Sequence, residues 1–191
     1  MKLKSLLTTT VCLFGIAVAR QAFAVPAEPL QAILDDVKAQ LPSGMVMRLP
    51  TQAAVEGVQE ALYATVERTD EGELRIDLGS YPNCTARACM RGYFSSTPAG
   101  VEHPREAYAR EFEIGRAPIT LTDGVVGHYI TVEGVRQHSY VLWQQDGQTY
   151  VVSIAPKYQP TLDGLTPAQS ARQRVLYFAI SMAMEPPISR E

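Results

Sequence analysis

Three histidines, a close pair of cysteines and a cluster of aromatic residues are the groups in this chain whose types and spacing could do chemistry. His103, His128 and His138 are the natural candidates for a general base or a metal ligand. Their spacing fits none of His-x-His, His-x-x-x-His or His-Glu-x-x-His, so no metal site is expected. A hydrolase needs a nucleophile beside its base. The Gly-x-Ser-x-Gly elbow, the Ser-x-x-Lys motif and a papain-type cysteine context are all absent. Ser43, Ser80, Ser95 and Ser96 sit in turn-like contexts, and no Gly-rich phosphate loop precedes a helix. Carboxylates are scattered, with Asp35 and Asp36 on the first helix and Asp70 and Glu71 in a turn. No catalytic residue and no cofactor is assigned on these grounds.

Cys84 and Cys89 are too few for a structural zinc site without nearby histidines, and their spacing is not that of a thiol oxidoreductase. In an exported chain they read as a disulfide closing a short loop. The aromatic residues Tyr129, Tyr140, Trp143 and Tyr150 fall on one antiparallel meander. Most of that group reads as core. The remaining reading is a wall of a ligand cleft made from Tyr129, His138, Tyr140, Leu142 and Trp143.

Export follows from the first segment. Lys2 and Lys4 precede an uncharged, mostly apolar run from Leu6 to Ala19, and Ala22-Phe23-Ala24 offers a small-x-small cleavage site. The run is shorter than the roughly 20 residues a membrane-spanning helix needs. Residues 1–24 are therefore expected to be a signal peptide, and residues 25–191 a single domain in the periplasm or outside the cell. Cys12 lies inside the apolar run and lacks a lipidation context. Of the 191 residues, 46% are hydrophobic and 19% charged, which excludes a disordered tail or a coiled-coil rod. Loss of the leader removes three of the seventeen basic residues and none of the twenty acidic ones, leaving a net charge of −6. An acidic domain repels nucleic acid and anionic membrane surfaces.

The elements that must position these residues are legible in part. Leu30, Ile33, Leu34, Val37 and Leu41 form one helical stripe, stopped by Pro42-Ser43-Gly44. Met45 to Leu49 reads as a short strand. Leu62–Glu67 and Glu73–Leu78 read as a hairpin, the second half alternating Leu74, Ile76 and Leu78 with Arg75 and Asp77. Cys89–Phe94 suits a strand and Ser95–Pro104 a loop. Arg105–Ile114 fits either a helix or a strand.

From Ile119 to Ile154, Asp123-Gly124, Glu133-Gly134 and Asp146-Gly147 punctuate an antiparallel meander. A two-residue turn at Asp146-Gly147 pairs Gln145 with Gln148, Trp143 with Tyr150 and Val141 with Val152. A two-residue turn at Glu133-Gly134 pairs Val132 with Val135 and Ile130 with Gln137. Together they put Ile130, Val132, Val141, Trp143, Tyr150, Val152 and Ile154 on one face. Tyr129, Thr131, Arg136, His138, Tyr140, Leu142, Thr149 and Val151 take the other, and His128 and His138 fall on opposite faces. Thr166-Pro167-Ala168-Gln169 is a capping box opening a helix with the stripe Ala171, Val175, Phe178, Ala179 and Met182, ended by Glu185-Pro186-Pro187.

The stretch Leu142-Trp143-Gln144-Gln145-Asp146-Gly147-Gln148-Thr149-Tyr150, followed by Ala179-Ile180-Ser181-Met182-Ala183, resembles a strand–turn–strand–helix pattern of uncharacterised secreted bacterial domains. These include domains attached to lipoproteins and to regulators of envelope or sporulation functions. Cys84-Thr85-Ala86-Arg87-Ala88-Cys89 is similar to a segment of cyanobacterial secreted proteins of unknown function. The resemblance implies a compartment and a fold, and no functional residue. The expected fold is α+β: a mainly antiparallel, curved sheet with a short N-terminal helix and a C-terminal helix packed on it. The expected function is an exported, non-catalytic envelope protein that binds a protein, a cell-wall component or a small apolar ligand. The alternatives are a periplasmic carrier of lipids or other apolar ligands, and an envelope hydrolase.

Overall fold

Alternation between apolar and ionic side chains along Leu74–Gly79 makes this segment a strand with two unlike faces, and the same logic organises the whole molecule. The structure is a computed structural model that describes residues 26–51, 62–69, 72–84, 86, 88–98, 100–133, 138–155 and 161–190. The expected signal peptide, Cys12, the turn residues Asp70 and Glu71, and Gly134 and Arg136 lie outside the described residues. The fold is α+β, with helices on a mainly antiparallel sheet. Strands β2 (Tyr63–Arg68), β3 (Leu74–Gly79), β4 (Met90–Pro98), β5 (Glu113–Thr122), β6 (Val125–Val132), β7 (His138–Gln145) and β8 (Gln148–Ile154) form one sheet in the order β2-β3-β4-β8-β7-β6-β5. Every neighbouring pair is antiparallel. Two short strands, β1 (Val46–Met47) and β9 (Ile188–Ser189), pair separately.

The first apolar stripe forms two helices rather than one, α1 (Glu28–Gln31) and α2 (Leu34–Gln40). The backbone leaves helical geometry at Ile33, with φ −109° and ψ 5°, yet Leu30, Ile33, Val37 and Leu41 all remain buried. The segment with two readings resolves as helix α3 (Pro104–Phe112) running directly into β5. The C-terminal helix α4 (Pro167–Met184) carries the expected capping box. The Gln169 N–H donates to Thr166 Oγ1, and the Thr166 N–H donates to Gln169 Oε1. Its last turn is tied down by Arg48, which reaches Asp146 through both Nε (2.6 Å) and Nη2 (3.1 Å) and donates from Nη1 to the Ala183 and Glu185 carbonyls. One buried guanidinium therefore joins a helix end to the β7–β8 turn.

Two expectations about the strands are corrected. Ser95–Pro98, expected in a loop, continues β4 and pairs with β8 from Ser95↔Val151 to Pro98↔Gln148. Small hydroxyl side chains look loop-like, but here they are completely buried in a central strand. The β6–β7 register also differs. Val132 pairs with His138 and Ile130 with Tyr140, three residues away from the two-residue-turn register. An odd shift turns one strand over relative to its partner. Ile130 and Val132 consequently lie with Tyr140 and Leu142 on the α3 side, whereas Tyr129 lies with Val141 and Trp143 on the α4 side. The β7–β8 register at Asp146-Gly147 is as expected, including Trp143↔Tyr150. Asp146 takes the left-handed conformation (φ 54°) that this turn requires.

Candidate functional site

The five residues suggested as a ligand wall are divided by the sheet. Trp143 stacks on Tyr150 with centroids 5.2 Å apart in the α4-side core, and its Nε1 donates to Gln145 Oε1 at 3.1 Å. Tyr140 and Leu142 are buried on the α3 side, where the Tyr140 hydroxyl donates to the Arg105 carbonyl at 2.8 Å. Tyr129 borders a cavity of about 150 Å³ beside α4, with Ala168, Ala171 and Val175 on its helical side, whereas the His138 ring stacks on Tyr108 of α3 with centroids 6.3 Å apart. The Arg172 guanidinium lies 5.0 Å over the Tyr129 ring. The five side chains thus do not converge, and three of them fill cores. His128 and His138 share one face, contrary to expectation. They do not meet, because His128 pairs with Leu142 and His138 with Val132, four residues or about 13 Å along the ladder.

His103 has partners that sequence spacing does not reveal. Its Nε2 lies 2.8 Å from Ser95 Oγ and 3.3 Å from Glu73 Oε1. Ser95 and His103 have no exposed surface, and Glu73 is 5% exposed. Ser, His and Glu together invite comparison with a hydrolytic triad, which needs the acid on Nδ1 and the nucleophile on an unprotonated Nε2. The wiring here is different. Nδ1 accepts the Arg105 backbone N–H at 3.0 Å and thereby caps α3. Nε2 consequently carries the proton and faces both the serine and the carboxylate. Burial pushes the Glu73 carboxyl up. The hydrogen bonds from His103 and Ser95 and the charge of Arg75 outweigh it, and hold Glu73 below the usual carboxylate range. The cluster is a brace that pins the start of α3 to β3 and β4.

The sequence does contain one trace of this arrangement. His103-Pro104 is a cap followed by proline at the first helical position, which marks a helix start. Beside the brace, Arg75 Nε donates to Asp77 Oδ1 at 2.7 Å. Burial raises the Asp77 carboxyl despite that partner. The Tyr93 ring has the guanidinium carbons of Arg75 and Arg105 at 4.4 and 5.1 Å, and burial pushes its phenol up. Among the described residues, no group of three or more His, Cys, Asp or Glu could hold a metal ion. No described helix is long and apolar enough to cross a membrane.

An open concavity lies at the β2 end of the sheet. A groove of about 610 Å³ runs between the α1–α2 junction and β2. Pro29, Ala32 and Ile33 line it from the helices, Leu62 and Tyr63–Thr65 from the start of β2, and Pro82 and Asn83 from the segment before Cys84. That segment is covalently braced. Cys84 and Cys89 form the expected disulfide, with Cα atoms 5.9 Å apart, and the Ser80 N–H donates to the Cys89 carbonyl at 3.0 Å. Gly79 lets the bridge pass, since a Cβ there would stand 2.5 Å from Cys84 Cβ. Asn83 adopts the left-handed conformation that turns the chain (φ 56°). Apart from Glu28 the described residues of the lining carry no charge.

No family model, no curated protein and no solved structure matches this chain. The geometry of the groove and the brace therefore carries the functional reading.

Proposed function

We propose that this chain is an exported, non-catalytic binding protein of the cell envelope whose binding surface is the groove between the α1–α2 junction and β2. One observation carries the reading: a mostly apolar groove of about 610 Å³ reaches Pro82 and Asn83, beside the loop closed by the Cys84–Cys89 disulfide. A disulfide persists in the compartment to which the leader-like residues 1–24 would deliver the chain. The hydrolase alternative loses support because Ser95 is buried and His103 spends Nδ1 on capping a helix. The carrier alternative loses support because Tyr140, Leu142 and Trp143 fill cores instead of lining a cavity. The resemblance to secreted envelope domains fits the same compartment.

Native mass spectrometry on the protein recovered from the envelope fraction of its own cells tests the proposal. The expected result is a chain beginning at Val25, lighter by two hydrogens than the reduced form, with no small molecule lost on denaturation. A retained leader would overturn export. A lipid-sized adduct would replace the proposal with the carrier.

A further inference from the structure

We infer that the outer edge of β2 is a strand-addition site for an extended segment of a partner polypeptide. This rests on the binding-protein reading and names the chemistry of the partner. The inference comes from the two edges of the sheet, which are built differently. Edge strand β5 carries Pro118 opposite His128, register shifts at Glu113/Gly115 and Thr120/Thr122, and a Glu113–Arg116 ion pair at 2.8 Å. Proline, bulges and charge are the devices that keep another strand from pairing with an edge. The other edge, β2, has none of the first two. Its ladder with β3 runs in constant register from Tyr63↔Gly79 to Arg68↔Leu74, and Tyr63–Arg68 contains no proline.

The groove follows this edge, along which no described strand pairs. Successive strand residues point to opposite faces, so a groove lined by Leu62, Tyr63, Ala64 and Thr65 in unbroken sequence runs along the backbone edge rather than over one face. These four residues present about 13 Å of edge. Main-chain hydrogen bonds give such a site its affinity, and pockets for alternate side chains give it selectivity. Side chains of an added strand on the Leu62 and Ala64 side would meet Pro29, Ala32 and Ile33. That wall suits small or branched apolar residues. Glu28 is the only charged residue among the described residues of the lining, so it favours a neutral or basic segment over an acidic one. The partner is therefore an extended, proline-free stretch with apolar residues at every second position.

The test is selection of a displayed random-peptide library against the mature, disulfide-bonded protein, followed by amide hydrogen exchange with the enriched peptides. Alternating apolar, non-acidic sequences are expected, with new protection confined to amides of residues 63–67. N-methylation of alternate peptide nitrogens should weaken binding roughly tenfold or more, the equivalent of one to two hydrogen bonds. Thr65→Pro should do the same. Ala32→Glu alters an exposed position on the wall and covers the case in which the proline variant fails to fold; it too should weaken binding.

Several results overturn the inference. Enriched peptides that protect amides elsewhere would remove the edge site and leave the binding-protein reading standing. No enrichment at all would remove both. Unchanged affinity after N-methylation would mean side-chain docking only. Full protection of residues 63–67 in the isolated monomer would mean that the chain fills its own edge. Protection that rises with protein concentration would assign the edge to a second copy.

Discussion

On one side of the sheet, α1, α2 and α4 cover Leu74, Ile76, Leu78, Phe94, Val141, Trp143, Tyr150 and Val152, joined by Phe178 and Met182 from α4. On the other, α3 covers Tyr93, Ile130, Val132, Tyr140, Leu142 and Val151, and beside them lie Glu73, Ser95 and His103, all buried. Strict alternation in β3 and β4 produces both surfaces from the same strands. Apolar area is non-directional, so the α4 side gains stability from volume and fit. The α3 side gains orientation, because His103 bonds both the helix start and the strands beneath it. The contrast shows why a Ser–His–Glu grouping need not be a catalytic one.

The largest expected effect lies on the apolar side. Trp143→Ala should lower unfolding stability by about 3–5 kcal/mol in urea titration, since a buried aromatic is lost and its cavity remains. His103→Ala should cost about 2–3 kcal/mol by leaving Glu73 and Ser95 buried without their partner. Hydrogen exchange should rise in α3 first and leave α4 protected, whereas Trp143→Ala should loosen both. Removing the disulfide with Cys84→Ser and Cys89→Ser should cost about 2 kcal/mol on the loop-entropy estimate, read as a lower thermal midpoint.

Acid should separate the two carboxylates on the α3 side. The Glu73 carboxyl is lowered in the fold, so its stabilisation is present above the ordinary carboxyl pKa and is lost as pH falls through the lower, folded value. Asp77 is raised, so its penalty exists above its folded value and disappears in acid. Glu73→Gln should therefore flatten the acid limb of a stability–pH curve. Asp77→Asn should leave neutral-pH stability equal to or slightly above that of the parent. The smallest effect belongs to the exposed Arg110–Glu102 pair, where Arg110→Ala should produce no measurable change in urea unfolding.

Elements built from local pattern were legible in the sequence. The alternation of Leu74–Leu78, the Asp146-Gly147 turn with its Trp143↔Tyr150 pair, the Thr166–Gln169 capping box and the Cys84–Cys89 bridge all follow from neighbours within a few residues. What depends on long-range partners was not legible. Ser95–Thr97 resemble a loop until β8 is placed beside them. Ile130 and Tyr129 exchange sides because the β6–β7 connection is longer than two residues. The brace joins residues 73, 95 and 103, and the groove joins residues 28–33, 62–65 and 82–83. No spacing rule connects segments that meet only after the sheet has formed. The candidate wall Tyr129, His138, Tyr140, Leu142 and Trp143 fails to gather for the same reason.

The measurement that bears most directly on the contrast between the two faces is the reactivity of Ser95. The folded, disulfide-bonded protein would be treated with a fluorophosphonate and digested, and the Ser95 peptide weighed. A structural brace leaves Ser95 unmodified in the parent and in His103→Ala under native conditions. Stoichiometric modification of Ser95 in the parent, abolished by His103→Ala, would make the cluster a nucleophile and its base and contradict the brace.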